Sequence, residues 1–361
     1  MDDSGEDYGN YSYDYYLEYG DMEELKVDHR QKEAIHIISV VIYVISFVLG
    51  LIGNATVIWV TGCKSKRTVN SVWLLNLALA DFVFVLFLPF YIDYILRDFH
   101  WDFGVAMCKM NSFVSVMNMY ASVLFLTALS VDRYVSLVHQ NWCRRWRTVA
   151  RAWFTSACVW LTAAIMSCPT LIFRDTVRLH DKVICFNNFH AQDGQSAATR
   201  HILLVSIRTT VGFLLPFSAI CVTGILLTLK VNQSWGSVRL SSFTKTVSAM
   251  ILAFFLCWAP FHIFSLMELS IHSSLYLHNV LKMGFPLATS LGFFHSCINP
   301  VLYVLLGKKV RTILKRACLD ITKSSLRELS QSVSATEMES LPGAPDAENR
   351  TPEEPVASST L

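Results

Sequence analysis

Seven long apolar blocks constrain this chain more than any other feature. They cover roughly residues 34–61, 68–97, 104–138, 148–172, 200–230, 240–272 and 277–305, with short polar segments between them. A block of about 20 apolar residues is long enough to cross the hydrocarbon of a bilayer as a helix. Inside lipid every backbone N–H and C=O needs a partner within the protein, which the helix supplies. The composition agrees, at 53% hydrophobic against 16% charged. The expected fold is an all-α membrane protein: a seven-transmembrane helix bundle with a short amphipathic eighth helix.

Lysine and arginine gather after blocks one, three, five and seven: Lys64, Lys66 and Arg67; Arg144, Arg145, Arg147 and Arg151; Lys230, Arg239 and Lys245; Lys308, Lys309, Arg311, Lys315 and Arg316. Cytoplasmic loops carry such an excess, so these segments are expected inside and the amino terminus outside. No basic leader with a short apolar core precedes residue 34, so the first helix is expected to act as the insertion signal. The chain then divides into an extracellular acidic, tyrosine-rich tail (1–33), the bundle (34–305), the amphipathic helix 8 (306–319, around "GKKVRTILKRAC") and a Ser/Thr-rich cytoplasmic tail (320–361). Asn10-Tyr11-Ser12 is a glycosylation sequon on the expected outer side. Most cysteines fall in helices or on the reducing cytoplasmic side, but Cys108 and Cys185 fall outside and form the candidate disulfide. Cys318 follows a basic stretch just inside the membrane and is a candidate palmitoylation site.

Within "LNLALADFVFVLFLPF" stands one carboxylate, Asp81. It lies about 20 Å along its helix, near the midplane of the bilayer. An ionisable residue at that depth is costly and marks function by default. Asn54, Asn118, Ser122 and Asn299 fall at similar depth, and Asn118 and Ser122, four apart, share a helix face. A carboxylate among amide and hydroxyl oxygens suits a small hard cation such as sodium, or a water cluster. Pro216, Pro260 and Pro300 each remove an intrahelical bond and permit kinks. Trp258, with Phe254 one turn away, reads as a bulky rotor in the core. Arg133 beside Asp132 reads as a local ion pair that holds the arginine until a partner protein takes it.

Gly53-Asn54, "LALAD" ending at Asp81, Asp132-Arg133-Tyr134, Trp160, Cys257-Trp258-Ala259-Pro260 and Asn299-Pro300-Val301-Leu302-Tyr303 recur in order on successive blocks. Over residues 34–318 the chain resembles the rhodopsin-like G-protein-coupled receptors. The resemblance implies that Asp81 binds an allosteric sodium ion with Asn118, Ser122 and Asn299, that Trp258 and Phe254 belong to the switch, and that Asp132, Arg133, Tyr134 and Tyr303 serve G-protein coupling. It implies no cofactor beyond that ion, no enzymatic activity and no nucleic-acid partner. The location implied is the plasma membrane. The implied partners are an inhibitory heterotrimeric G protein, arrestin, a receptor kinase and membrane lipid.

Single residues exclude some classes. Phe293 stands where a retinal pigment needs its Schiff-base lysine, and Ser115 where amine receptors carry aspartate. A channel's polar stripes and a transporter's inverted repeats are not visible, though a transporter-like protein is the alternative of another class. The stretches "FLPFYIDYILRDFHWDFG", "MCKMNSF" and "MELSIHSSLYLHNV" resemble the chemerin receptors, within the chemoattractant group, and most of all their second, atypical branch. That resemblance implies a chemerin-like peptide or protein as ligand and a role in chemotaxis. Arg208, two turns outward of Pro216, and Arg174, at the start of the outer loop, are candidate carboxylate clamps. Glu268 is expected to meet a polar or cationic part of the ligand, with Ser115 lining the same site. Two positions depart from the family. Gly224 replaces the usual tyrosine eight residues after Pro216, and Gln140 follows His139 where proline is common. Both favour an alternative in which the receptor scavenges ligand or signals through arrestin with weak G-protein output.

Overall fold

A computed structural model describes residues 29–64, 66–179, 181–189, 194–233, 242–269 and 275–306, together with isolated positions between Thr312 and Gln331. Asn10, Cys318 and nearly all of helix 8 and of the two tails lie outside the described residues. Contacts divide the chain after Arg311, and every element below belongs to the first unit.

The first apolar block forms α1 (His29–Trp59), continued by a π-helical turn, Val60–Lys64. The second block is not one helix. It forms α2 (Val69–Val85) and α3 (Leu88–Leu96), separated by a turn at Leu86 and Phe87. Pro89, in the first turn of α3, has no N–H to give and its ring crowds the carbonyl of Val85, so the ladder is interrupted there. Thr68 caps α2: its Oγ1 accepts from Ser71 N at 3.2 Å, and Ser71 Oγ accepts from Thr68 N at 2.7 Å. Next come α4 (Gly104–Val138), a short α5 (Gln140–Trp146) and α6 (Val149–Phe173), whose start is capped by Thr148. The strands β1 (Arg174–Leu179) and β2 (Lys182–Asn187) pair antiparallel, with Thr176 opposite Cys185. Then follow α7 (Gly194–Thr209), a π-helical turn Thr210–Leu214, α8 (Leu215–Gln233), α9 (Ser242–Glu268) and α10 (Leu275–Leu306).

Among the described residues, six helical spans are long and apolar enough to cross a membrane: Ala34–Lys64, Val69–Leu96, Gly104–Val138, Val149–Phe173, Ser196–Lys230 and Phe243–Glu268. The remaining long helix, α10, commits Ser290, His295, Ser296 and Asn299 to the interior, which dilutes its apolar character. It packs along α1 and α9. Phe84, Phe125, Leu126, Leu129, Met250 and Phe254 are fully buried, while Phe154 and Leu256 are 72% and 63% exposed on the outside. Large apolar side chains on the perimeter, with polar ones inside, suit a bundle solvated by lipid.

The β1–β2 hairpin covers one end of the bundle. The Cys108–Cys185 disulfide ties β2 to the start of α4, as the sequence leads one to expect. Trp101 N donates to Val183 O at 2.7 Å, and Val183 N donates to His100 Nδ1 at 3.1 Å. Asn188 N returns to Phe173 O at 2.6 Å. The α3–α4 connection that makes these bonds turns through positive φ at Asp98 (51°) and Phe99 (62°). Lys182 reaches Asp98 across it.

Candidate functional site

Midway along the bundle, Asp81 is fully buried. Asn299 Nδ2 donates to its Oδ2 at 2.8 Å, and Ser122 Oγ stands 3.5 Å from its Oδ1. With the Asn118 amide oriented to satisfy both its ends, its nitrogen donates to Asp81 Oδ1 (3.2 Å) and its oxygen accepts from Ser296 Oγ (2.9 Å). Asn54 Nδ2 bridges Gly50 O (2.9 Å) and Ser296 O (3.0 Å). The fold therefore brings together the polar residues that depth and spacing single out, from α1, α2, α4 and α10. It adds Ser296, which a serine in a helix rarely betrays from sequence. Asn54 Oδ1 and Asn299 Oδ1 are buried acceptors without a protein donor. Among the described residues no three His, Cys, Asp or Glu side chains converge. One carboxylate with neutral oxygens is a donor set for a hard cation of low charge, and the residues present fit sodium.

Phe254 and Trp258 lie in the core just beyond this cluster, with ring centroids 6.1 Å apart. Trp258 also meets Phe293 at 6.3 Å and Phe261 at 5.5 Å. Gly292 lets the indole approach: a Cβ there would stand 3.1 Å from Trp258 Cε3.

At the end opposite the hairpin, Arg133 Nη2 pairs with Asp132 and donates to Asn70 Oδ1 at 2.5 Å. The guanidinium lies over the Phe243 ring at 4.7 Å. Arg133 Nε is buried without a partner. A second arginine, missed in the sequence, takes the other side of the same carboxylate: Arg147 Nε donates to Asp132 Oδ1 at 2.7 Å and its Nη2 reaches Asn70. Tyr134 packs edge-on against His139, with ring centres 5.8 Å apart. Tyr303 is buried in the interior and its hydroxyl has no partner. An added Cβ at Gly224 would meet nothing within 4 Å.

Under the hairpin lies a cavity of about 470 Å³. Ser115, Arg174, Arg208 and Glu268, singled out from four separate segments, all line it. Its floor carries Trp258 and Phe293, and its walls are largely apolar. Arg208 is anchored by Nη2 to Ser265 Oγ at 3.1 Å and lies over Phe261 at 4.9 Å, while its Nε is buried without a partner. Arg174 Nε donates to Ser112 Oγ at 2.8 Å. Glu268 stands 3.8 Å from His201 Nε2. Ser115 Oγ donates to Asn111 O at 2.7 Å and stands 3.5 Å from the Tyr91 hydroxyl. A pocket of this size, apolar with a few convergent polar groups, is the usual form of a ligand site.

Comparison with known proteins gives a match of residues 53–303 to the seven-transmembrane receptor model of the rhodopsin family. The chain is 44% identical over 335 residues to chemerin-like receptor 2 of Macaca fascicularis, covering 92% of this chain and 93% of that protein. It is 42% identical over 333 residues to human chemerin-like receptor 2, with the same coverage of both. Human chemerin-like receptor 1 is 39% identical over 281 residues, 74% of each chain.

Proposed function

This chain belongs to the rhodopsin family of seven-transmembrane receptors, whose members are not enzymes, and from that premise we propose that it is a plasma-membrane receptor for a chemerin-like peptide or protein, taken up beneath the hairpin with the amino terminus outside. The observation that carries the reading is Arg208: a buried guanidinium with an unpartnered Nε, in an apolar cavity shared with Arg174. Two arginines against the one carboxylate of Glu268 leave the cavity lining with an excess positive charge, and arginine holds a carboxylate through parallel hydrogen bonds. The free carboxylate of a peptide's carboxyl terminus, inserted tail-first, supplies that anion. Glu268, with His201, receives a polar or cationic group nearer the hairpin. The names of the relatives point to chemerin as the protein from which such a peptide derives.

Signal passes from the cavity floor through Trp258 and Phe254 to the cluster at Asp81. That cluster takes sodium in the resting packing. At the far end Arg133, released from Asp132, engages an inhibitory G protein, arrestin, or both. A receptor kinase and surrounding lipid complete the partners expected of such a receptor. Gly224 supports a second reading, in which ligand capture outweighs G-protein output, because no phenol is present there to reach Arg133 or Tyr303. A single assay separates the two: G-protein activation and arrestin recruitment in cells exposed to chemerin and its carboxyl-terminal peptide. No response in either channel together with no saturable binding of chemerin, with receptor at the surface, overturns the ligand assignment. Arrestin recruitment without G-protein activation selects the second reading.

A further inference from the structure

Gly224 leaves behind it a second cavity, of about 270 Å³, between α4, α8 and α9 and well away from the hairpin. Its wall is apolar, formed by Ile220, Val247, Ile251 and Phe255 among others. Arg133, Ser130, Thr223, Thr244 and Ser248 interrupt that wall. Arg133 lines it and keeps a buried Nε–H without a partner. Ser130 Oγ and Thr223 Oγ1, 2.9 Å apart, form a hydroxyl pair on the same wall. On the rim, Phe217 and Leu252 are 44% and 60% exposed on the face that an apolar perimeter turns toward lipid. One side of the cavity is thus reached from the bilayer, and its depth ends at a cation with an unmet donor.

An engineered apolar cavity of roughly 150 Å³ takes a benzene molecule. The space here is larger, yet below the size of most drug-sized pockets, so it fits a narrow ligand rather than a bulky one. An apolar shaft closed by an arginine calls for an amphiphile with one anionic head. From these features we infer that the cavity between α8 and α9 is a binding site for a medium-chain fatty carboxylate, which enters from the bilayer. Its carboxylate pairs with the Arg133 guanidinium that lines the closed end. Its methylenes lie against Ile251 and Phe255, and the chain end passes Leu252 into lipid. Bound there, it competes with Asp132 for the arginine and props α8 apart from α9. The site shares no lining residue with the cavity under the hairpin.

The probe is radiolabelled decanoate, added to the full chain in phosphatidylcholine nanodiscs, with empty nanodiscs as background. Saturable binding is expected, displaced by unlabelled decanoate and at least about tenfold less well by decanol, which lacks the charge. Gly224→Leu fills the cavity and should abolish saturable binding. Arg133→Gln keeps the length without the charge and should weaken decanoate about tenfold while leaving the action of decanol unchanged. Helix content and a monodisperse elution profile report that each variant is folded. No saturable binding to wild type, or equal binding to wild type and a folded Gly224→Leu, overturns the site. Equal displacement by decanol overturns the role of Arg133. Displacement by phosphatidylglycerol mixed into the nanodisc, more effective than by decanoate, overturns the fatty-acid source in favour of a phospholipid.

Discussion

The amide of Asn299 donates to Asp81 Oδ2 at 2.8 Å, joining α2 to α10 across 218 residues of sequence. The carboxylate at that junction has two oxygens and takes neutral donors on both. An asparagine in its place keeps the size and one acceptor but loses the charge. Asp81→Asn is therefore expected to abolish the sodium dependence of agonist affinity while the receptor still reaches the surface. Radioligand binding in sodium and in a large organic cation checks it. The same sodium dependence in the variant leaves the carboxylate a purely structural role.

Arg208→Ala removes the buried cation of the cavity under the hairpin. A desolvated charge-assisted contact is worth roughly 2–5 kcal/mol, or at least about thirtyfold in affinity. The acid form of the peptide should weaken by that much on the variant. The amide form should already be weak on wild type and lose little more. A double-mutant cycle in which the two losses simply add would sink tail-first insertion, because groups that touch do not behave independently.

Gly224→Tyr is expected to raise agonist-driven G-protein activation at equal surface expression. A Cβ at this position meets nothing within 4 Å, and the cavity it opens on is also lined by Arg133, so a phenol has room to extend toward that arginine. Gly224→Ala separates this from the gain in helix propensity, about 1 kcal/mol. If alanine does as much as tyrosine, the hydroxyl is not the cause.

Gly53 lets α1 close on α10. An added Cβ there would stand 2.6 Å from Pro300 Cγ and 2.7 Å from Pro300 Cβ. The proline ring has little freedom to retreat, so the helices must separate. Overpacking of this kind costs about 1–3 kcal/mol. Gly53→Ala should lower the midpoint of thermal unfolding by several degrees, read by a thiol dye that reaches the buried Cys257 and Cys297 only on opening. Gly62→Ala, whose nearest neighbour is Leu75 Cδ1 at 4.0 Å, serves as the tolerated comparison.

Helical arithmetic makes Asp81, Asn118, Ser122 and Asn299 legible before any coordinates. Depth along a span follows from residue count, and four-residue spacing gives a common face. The convergence of Ser115, Arg174, Arg208 and Glu268 is legible for a similar reason, since each sits near the same end of its span. Arg147 is a different case. In the sequence it is one positive charge among several that orient the chain. Its grip on Asp132 depends on the short helix Gln140–Trp146, which leads the backbone back across the end of α4. Seven residues with two tryptophans and two arginines carry no strong periodicity, so that return path is not visible in advance. The break between α2 and α3 at Pro89 lies inside the single apolar block 68–97, because a hydropathy window averages over it. Asn70 and Ser296 escape notice because small polar residues acquire meaning only from what faces them.

The π-helical turn Thr210–Leu214 holds one residue more than an α-helical turn would, between Arg208 and Pro216. Each residue of an α-helix advances the azimuth by about 100°. The bearing of Arg208 is therefore out of phase with the half of the span beyond the turn, which faces Phe217 and Leu226 outward. Removing one residue between Thr210 and Leu214 would restore a continuous helix and swing the guanidinium by about 100° relative to α8. A receptor with every side chain of the cavity intact would then have lost its ligand's anchor through a shift in winding alone.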